Sequence, residues 1–379
     1  MKKKYSCAII TSQAFSISNF RGPLIRDMVR AGVHVYALAP DYDDYSRKKI
    51  VDLGACPVDF QLSRTGMSPV HDLINTIRLV FLLRKLKPDV TFSYFIKPVI
   101  YGTVAAWLAR IPLRIAMIEG LGYVFTDSNN KNPWYRKFLR WVVSLMYASA
   151  LSRASKIIFL NKDDLNDFIS KGLVSEINTI KLGGIGVDLN EWAVEPSVTE
   201  KITFLLAARL IREKGIIEYV KAARQIKARY PNTRFILLGG LDANPSGLKK
   251  NEVESWVNEG ILEWPGHVEV KPWLAQASVF VLPSFYREGV PRSTQEAMAM
   301  GRPIITTDAP GCRETVEEGV NGFLIKTRDY EALMVSMIKF IEQPNLVNTM
   351  GLESRRLAEE RFDVNVINAR LLTILQVYD

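Results

Sequence analysis

Short apolar runs alternate with longer stretches of helical period along most of the chain. Residues 5–11 form a mostly apolar run of buried-strand length, beginning at Tyr5. A helix is expected from about residue 22 to 30, stopping near Gly32, and a second strand over 34–39, ended by Pro40-Asp41. The period over 70–86 predicts a long helix that stops before Pro88. Residues 89–93 read as strand, 99–109 as helix, and 113–118 as a strand broken by Glu119-Gly120-Leu121-Gly122. Residues 157–160 are strand-like, and Asn161 caps a helix that runs to Lys171-Gly172. Such alternation predicts a parallel sheet with helices on both faces.

The segment Gly183-Gly184-Ile185-Gly186-Val187-Asp188 interrupts the rhythm, and a new series follows. Strands are expected over 202–208, 234–238, 261–264, 279–282 and 303–306. Helices are expected from Gly215 to Tyr230-Pro231 and over about 292–300, with a turn at Asn321-Gly322. The fold class is therefore α/β, with two doubly wound domains, 1–185 and 186–355, and a hinge near 183–198. Residues 356–379 are expected to form a C-terminal helix that crosses back to the first domain.

Length agrees, since 379 residues exceed one ordinary single-core domain. The chain is 48% hydrophobic and 23% charged, which excludes a disordered or fibrous protein. No stretch approaches the length of a spanning helix. The opening Met1-Lys2-Lys3-Lys4 is followed by too short an apolar run for a secretory signal. Three scattered cysteines (Cys7, Cys56, Cys312) form no disulfide framework or paired zinc motif, and a reducing cytosol is expected. Three scattered histidines make a His-rich metal site unexpected.

Charge is distributed unevenly. Net charge is +9, but residues 1–185 carry 26 Lys+Arg against 14 Asp+Glu, a net of +12, and the remainder is at −3. A polyanionic surface partner on one side is implied, either nucleic acid or anionic membrane. No helix-turn-helix, zinc-finger or RNA-binding signature appears, so nucleic acid is not expected. On a helix over 134–146, Trp134, Phe138, Trp141, Val142 and Leu145 share one broad face, and Arg136, Lys137 and Arg140 fall largely opposite. That distribution fits an interfacial helix, or a core helix with a solvated basic face.

Residues 278–325 carry the chemistry. A strand ends at Leu282-Pro283, a loop turns through Glu288, and a helix begins near Pro291-Arg292, with Glu296 one turn inside. Ligands of open α/β sheets bind beyond the carboxyl ends of strands, and a helix N-terminus suits a phosphate. Two carboxylates beside an anion site make sense for a sugar nucleotide, one accepting from ribose hydroxyls and the other from sugar hydroxyls.

Glu288 and Glu296, with seven residues between them in E-G-V-P-R-S-T-Q-E-A-M-A-M-G-R-P, resemble the signature of the family-four retaining glycosyltransferases, which have the GT-B fold. Ala208-Arg209-Leu210 with Glu213-Lys214-Gly215, the Gly186-Val187-Asp188 element, Thr307-Asp308 and Gly311-Cys312-Arg313-Glu314 resemble further parts of that family. Gly239-Gly240-Leu241-Asp242-Ala243-Asn244-Pro245 and Glu119-Gly120-Leu121-Gly122 look closest to bacterial members that build polysaccharide on a lipid carrier.

The resemblance implies two Rossmann-like domains facing each other across a cleft, the first binding acceptor and the second the nucleotide sugar. Glu288 would hold the transferred sugar, and Arg209 and Lys214 would offset charge on the leaving diphosphate without a metal. Glu296 would hold the ribose, and backbone N–H groups near Gly289, Val290 and Ser293 the phosphates, with Gly186 nearby. The base would lie near Gly266-His267-Val268. Asn19, Arg21, Glu119, Gly120 and Gly122 fall on the acceptor or sugar side. Glu119 either orients a substrate hydroxyl or is a structural carboxylate held by loop N–H groups. Two departures stand out: Ser12 to Gly22 reads as a loop with one late glycine, where many members have a Gly-rich loop, and no histidine stands beside Ile118-Glu119-Gly120.

The implied activity is transfer of a hexose or N-acetylhexosamine from a UDP-sugar to a lipid-linked or soluble glycan hydroxyl, with retention giving an α-linkage. The expected location is the inner face of the cell membrane, held peripherally through the basic first domain. A sugar-nucleotide epimerase shares this architecture and is the alternative. The first strand lacks a following G-x-G-x-x-G, which disfavours a nicotinamide enzyme.

Overall fold

The computed structural model describes residues 4–63, 68–126, 133–242, 244 and 246–377. The start of the Met1–Lys4 charge cluster and residues Ala243 and Pro245 lie outside the described residues. The chain divides into two compact units. Of the described residues, the first comprises those up to Val124, 133–185 and those from Val364 onward; the second is Gly186–Asp363 with Phe125 and Thr126.

The first unit is built on β1 (Ser6–Ile10), β2 (His34–Ala39), β3 (Cys56–Asp59), β4 (Val90–Tyr94), β5 (Leu113–Ile118), β6 (Lys156–Phe159) and β7 (Thr179–Lys181). All are parallel, in the order β3-β2-β1-β4-β5-β6-β7. β1 and β4 are buried along their whole length; β1 accordingly reads as a mostly apolar run, whereas β4 carries Thr91 and Ser93 inside. The connecting helices are α1 (Ala14–Arg30), α2 (Asp44–Asp52), α3 (Pro69–Leu86), α4 (Thr103–Leu108), α5 (Gly122–Phe125), α6 (Pro133–Leu151) and α7 (Lys162–Ser170).

Several expectations are corrected here. Ser12 to Gly22 is not a loop, because α1 begins at Ala14. Its buried stripe includes Ser16 and Arg21, which satisfy polar groups inside and so break the apolar period that a helix shows. The helix expected over 99–109 is a π turn, Pro98–Gly102, followed by α4. α2 and β3 escape detection because α2 buries only Ser46 and Ile50 and β3 is a half-exposed edge strand.

The reading of 134–146 as a core helix with a separate basic face also fails. Trp134 is 80% exposed, Phe138 60% and Trp141 59%, while Val143, Tyr147, Ala150 and Leu151 face the core. Arg136 and Arg140 instead turn inward, donating to the Tyr123 and Val124 carbonyls at 2.9 and 2.8 Å.

The second unit contains β8 (Thr203–Ala207), β9 (Arg234–Leu238), β10 (Glu263–Gly266), β11 (Val279–Leu282), β12 (Ile304–Thr307) and β13 (Gly322–Ile325), ordered β10-β9-β8-β11-β12-β13. β10 lies two residues beyond the expected 261–264 and pairs with an irregular register. Gly322 opens β13, and the turn before it is tied by the Asn321 side chain, which accepts from Glu317 N–H at 2.8 Å. Its helices are α8 (Ile216–Arg229), α9 (Lys250–Asn258), α10 (Lys271–Ala275), α11 (Arg292–Ala299), α12 (Tyr330–Glu342) and α13 (Asn345–Arg361).

The single C-terminal helix expected from 356 is two: α13, and α14 (Val364–Ile374). α14 packs on the first unit, where Asn368 donates to Asp27 at 2.8 Å and Arg370 to the Leu182 carbonyl at 3.1 Å.

Candidate active site

In the second unit the strands are parallel and their order reverses between β8 and β11, the place where an open α/β sheet leaves a crevice for ligand. Lys214 stands on the loop after β8 and Glu288 on the loop after β11. The two loops are sewn together by backbone. The Glu213 carbonyl accepts from Phe285 N–H at 2.9 Å and Tyr286 N–H at 3.1 Å. Gly215, at φ 75°, is required at this seam, since a Cβ there would overlap the Pro283 carbonyl.

Lys214 donates from Nζ to Oε1 of Glu288, both side chains being nearly buried. Ser284 Oγ donates to the same oxygen at 2.9 Å. Ser284 is itself fixed from below, its carbonyl accepting from the Thr307 hydroxyl. Gly311, at φ 79°, lies under this loop, where a Cβ would overlap the Glu288 and Gly289 carbonyls. Cys312 beside it is inert: burial, and then the Glu288 charge, push its thiol up to about 12.

Arg209 leaves β8 toward the same place. Its guanidinium lies 5.8 Å from the Tyr286 ring centroid, and Lys214 Nζ lies 5.5 Å from that ring. Arg209 also donates to Asp242 at 3.2 Å. Burial works against its charge, but Tyr286, Asp242 and Glu288 outweigh this and hold its pKa above the ordinary value. Two cations therefore meet at one aromatic ring, and one of them is paired with a carboxylate.

α11 starts directly after this loop, and the first-turn N–H groups of a helix have no intrahelical partner. Val290 is buried, so only its backbone is on offer, while Ser293 is half-exposed. One turn in, Glu296 Oε1 accepts from Arg292 Nε at 2.7 Å. Burial pushes the Glu296 carboxyl above the ordinary carboxylate range, against the pull of Arg292.

Gln295 is fully buried on the same helix. Its carbonyl accepts from Gly186 N–H at 3.1 Å, and its amide donates to the Val290 carbonyl at 3.1 Å. It thereby fixes both the Gly186 segment and the loop that carries Glu288. Leaving a buried polar group unpaired costs about 1–3 kcal/mol, so Gln295→Leu is expected to lower unfolding free energy by about 2–4 kcal/mol. Urea denaturation checks this, and Gln295→Glu, which can still accept from Gly186, should fall between the two.

His267 is exposed on the turn after β10, where its Cβ lies against Gly240 at the end of β9, with Val268 half-buried beside it. Gly266, the last residue of β10, accepts from Gly239 N–H at 2.9 Å. These residues occupy the carboxyl edge of the sheet two strands from Lys214.

The acceptor-side candidates belong to the first unit and separate there. Asn19 is exposed on α1. Arg21, two residues on, is buried, makes an ion pair with Glu119, and lies 4.8 Å over the Tyr94 ring. Glu119 is thus held by a guanidinium rather than by loop N–H groups. Gly120 (φ 92°) and Gly122 (φ 66°) shape the turn that follows it.

Sequence reasoning brought Lys214, Glu288, Arg209, Glu296 and Gly186 into one unit but missed Ser284, Arg292, Gln295 and Tyr286. A glutamine at a buried helical phase was the available signal for Gln295.

Residues 201–343 match the family described as glycosyl transferases group 1, and residues 31–161 match glycosyl transferase 4-like. The N,N'-diacetylbacillosaminyl-diphospho-undecaprenol alpha-1,3-N-acetylgalactosaminyltransferase of Campylobacter jejuni is 28% identical over 373 residues, 95% of each chain. The UDP-Gal:alpha-D-GlcNAc-diphosphoundecaprenol alpha-1,3-galactosyltransferase of Escherichia coli is 25% identical, covering 79% of this chain and 78% of its own. Among solved structures, sucrose-phosphate synthase from Thermosynechococcus elongatus superposes with a TM-score of 0.78 at 17% identity, covering 98% of each chain. HepE of Anabaena, in complex with UDP and glucose, superposes with a TM-score of 0.76 at 18% identity, covering 99% of this chain and 100% of its own. These likenesses show the GT-B fold.

Proposed function

Because the chain belongs to the glycosyltransferases of the group 1 and 4-like types, we propose that it is a retaining hexosyltransferase. It moves a hexose or N-acetylhexosamine from a UDP-sugar to a hydroxyl of a polyprenyl-diphosphate-linked glycan and forms an α-linkage. The observation that carries this reading is the Lys214–Glu288 pair at the β8/β11 switch point, directly before the α11 N-terminus, with Glu296 one turn inside. The relatives from Campylobacter jejuni and Escherichia coli, named for diphospho-undecaprenol acceptors, support the acceptor class.

The diphosphate lies at the N-terminus of α11, with Gly289, Val290 and Ser293 offering backbone N–H groups. Glu296 accepts from ribose hydroxyls and releases Arg292 toward the diphosphate. The base lies against Gly266, His267 and Val268. Glu288 receives the hydroxyls of the transferred sugar. As the bond from the anomeric carbon to the phosphate oxygen breaks, Lys214 and Arg209 balance the charge gathering on the diphosphate, the work a metal does elsewhere. The acceptor oxygen bonds to the same face of that carbon, and its proton passes to the departing phosphate oxygen. Arg21 and Glu119 act as positioning residues on the acceptor side, where Asn19, Gly120 and Gly122 also lie. No helix among the described residues is long and apolar enough to cross a membrane.

The test is transfer and thermal stabilisation with a panel of UDP-, GDP- and ADP-sugars, using a short-chain, water-soluble diphospholipid sugar as acceptor. UDP-sugars are expected to stabilise and to be consumed, with α-linked product and no loss of rate in EDTA. Stabilisation by another base alone, β-linked product, or a rate that collapses in EDTA and returns with magnesium would overturn the corresponding part.

A pH dependence follows from Glu296. Its carboxyl accepts from two ribose hydroxyls, with the strength of a charged acceptor, only when ionised, and burial raises its pKa. UDP-glucose affinity is therefore expected to fall on acidification beginning above the ordinary carboxylate range, and Glu296→Gln should flatten the profile. Calorimetric titration over pH reads it directly, because the diphosphodiester does not titrate there.

A further inference from the structure

Three neighbouring helices of the first unit carry apolar side chains that stand exposed among the described residues. α3 packs beside α4, and α6 packs beside α4 and the π turn. On α6, Trp134, Phe138, Trp141 and Leu145 recur at helical spacing, all at least half exposed. On α3, Val70, Ile74, Ile77 and Phe81 form a second stripe at the same spacing, with Phe81 63% exposed. Trp107 of α4 is also exposed. The inner sides of α3 and α4 already fill the core against β1, so these outer stripes are not displaced core residues.

Charge decides what covers them. α6 contains no acidic residue. The one carboxylate of α3, Asp72, is buried against Lys97 at 3.1 Å and Tyr101 at 3.2 Å. The exposed charges on both helices, Arg78, Arg84, Lys85 and Lys137, are therefore all positive. Arg136 and Arg140, which would otherwise add to them, are spent on the backbone of α5. Apolar stripes rich in Trp and Phe, on helices whose exposed charges are all positive, are complementary to the interface of an anionic bilayer.

We propose that the outer faces of α3 and α6 form one monotopic docking surface, seating the first unit in an anionic bilayer by apolar insertion, with charge as the weaker component. This rests on the reading of the protein as an enzyme with a lipid-linked acceptor, and it places the attachment on apolar side chains instead of on the basic residues of 134–146.

Flotation of the full chain with phosphatidylcholine/phosphatidylglycerol vesicles, at low and high salt, is the test. Wild type is expected to float at low salt and to keep most of its binding at high salt. Trp134→Ser/Phe138→Ser/Trp141→Ser and, separately, Ile74→Ser/Ile77→Ser/Phe81→Ser should each lower vesicle partition by about tenfold or more. Lys137→Glu should weaken binding at low salt only. All variants should melt like wild type and keep transfer to the water-soluble short-chain acceptor within about twofold, since only exposed side chains change.

Wild type that does not float, or triple variants that float as well as wild type, would overturn the proposal. So would a wild-type dimer, seen by light scattering, that the triple variants dissolve while neither floats. Flotation without transfer to the short-chain acceptor would leave the surface standing and sink the proposed activity instead.

Discussion

Lys214→Ala is expected to lower the turnover number by about 10²–10³-fold, the range seen when one preorganised donor to developing negative charge is removed. Donor affinity should change by less than about tenfold, because charge on the diphosphate grows as the bond to the sugar breaks and the ammonium matters most then. The structure makes the effect local. Lys214 is held on the β8–α8 loop by the Glu213 backbone seam, and removing its side chain leaves that seam intact. Lys214→Arg is not expected to restore the rate, since a planar guanidinium does not place its charge where the compact ammonium meets Glu288 and the Tyr286 ring. Single-turnover transfer and calorimetric titration with UDP-glucose separate the two quantities. A turnover within a few-fold of wild type, or losses equal in affinity and rate, would move the leaving group away from Lys214.

Glu288→Gln is the second large effect. The amide keeps the shape and can still accept from Ser284, but the ion pair with Lys214 is gone. A hydrogen bond to a charged group is worth about 1.5–3 kcal/mol, so transfer should fall by about 10- to 100-fold with the fold intact. Because Glu288 and Lys214 act as one unit, the double variant should be nearly as fast as the slower single variant rather than showing the product of both losses. Multiplying losses would mean that the two side chains contribute independently.

Agreement between sequence and structure is uneven, and each discrepancy has a physical reason. β2, β5, β9 and β11 begin and end where the apolar runs do, since buried parallel strands leave little choice of composition. The α1 start was hidden by Ser16, which pairs with the Tyr94 hydroxyl at 2.8 Å, and by Arg21, which is buried against Glu119. Polar groups that satisfy one another inside a protein look like solvent-facing residues in a sequence. The same blindness hid Ser284 and Gln295, which hold Glu288 and Gly186 in place. α6 failed in the opposite direction: its aromatic residues read equally well as core or interface, and only exposure distinguishes them.

The sequence by itself determined the α/β class, the two-domain division and the spacing of Glu288, Glu296, Arg209 and Lys214, because these rest on local periodicity and on residue types that the chemistry demands. Only the tertiary structure decided that Lys214 meets Glu288, that Arg21 is committed to Glu119, and that Arg136 and Arg140 face inward while Trp134 and Phe81 face out. Those are pairings between residues distant along the chain, or choices of which helix face is covered. They depend on how strands separated by whole crossovers come to lie side by side in one sheet, which the local period of a sequence does not encode.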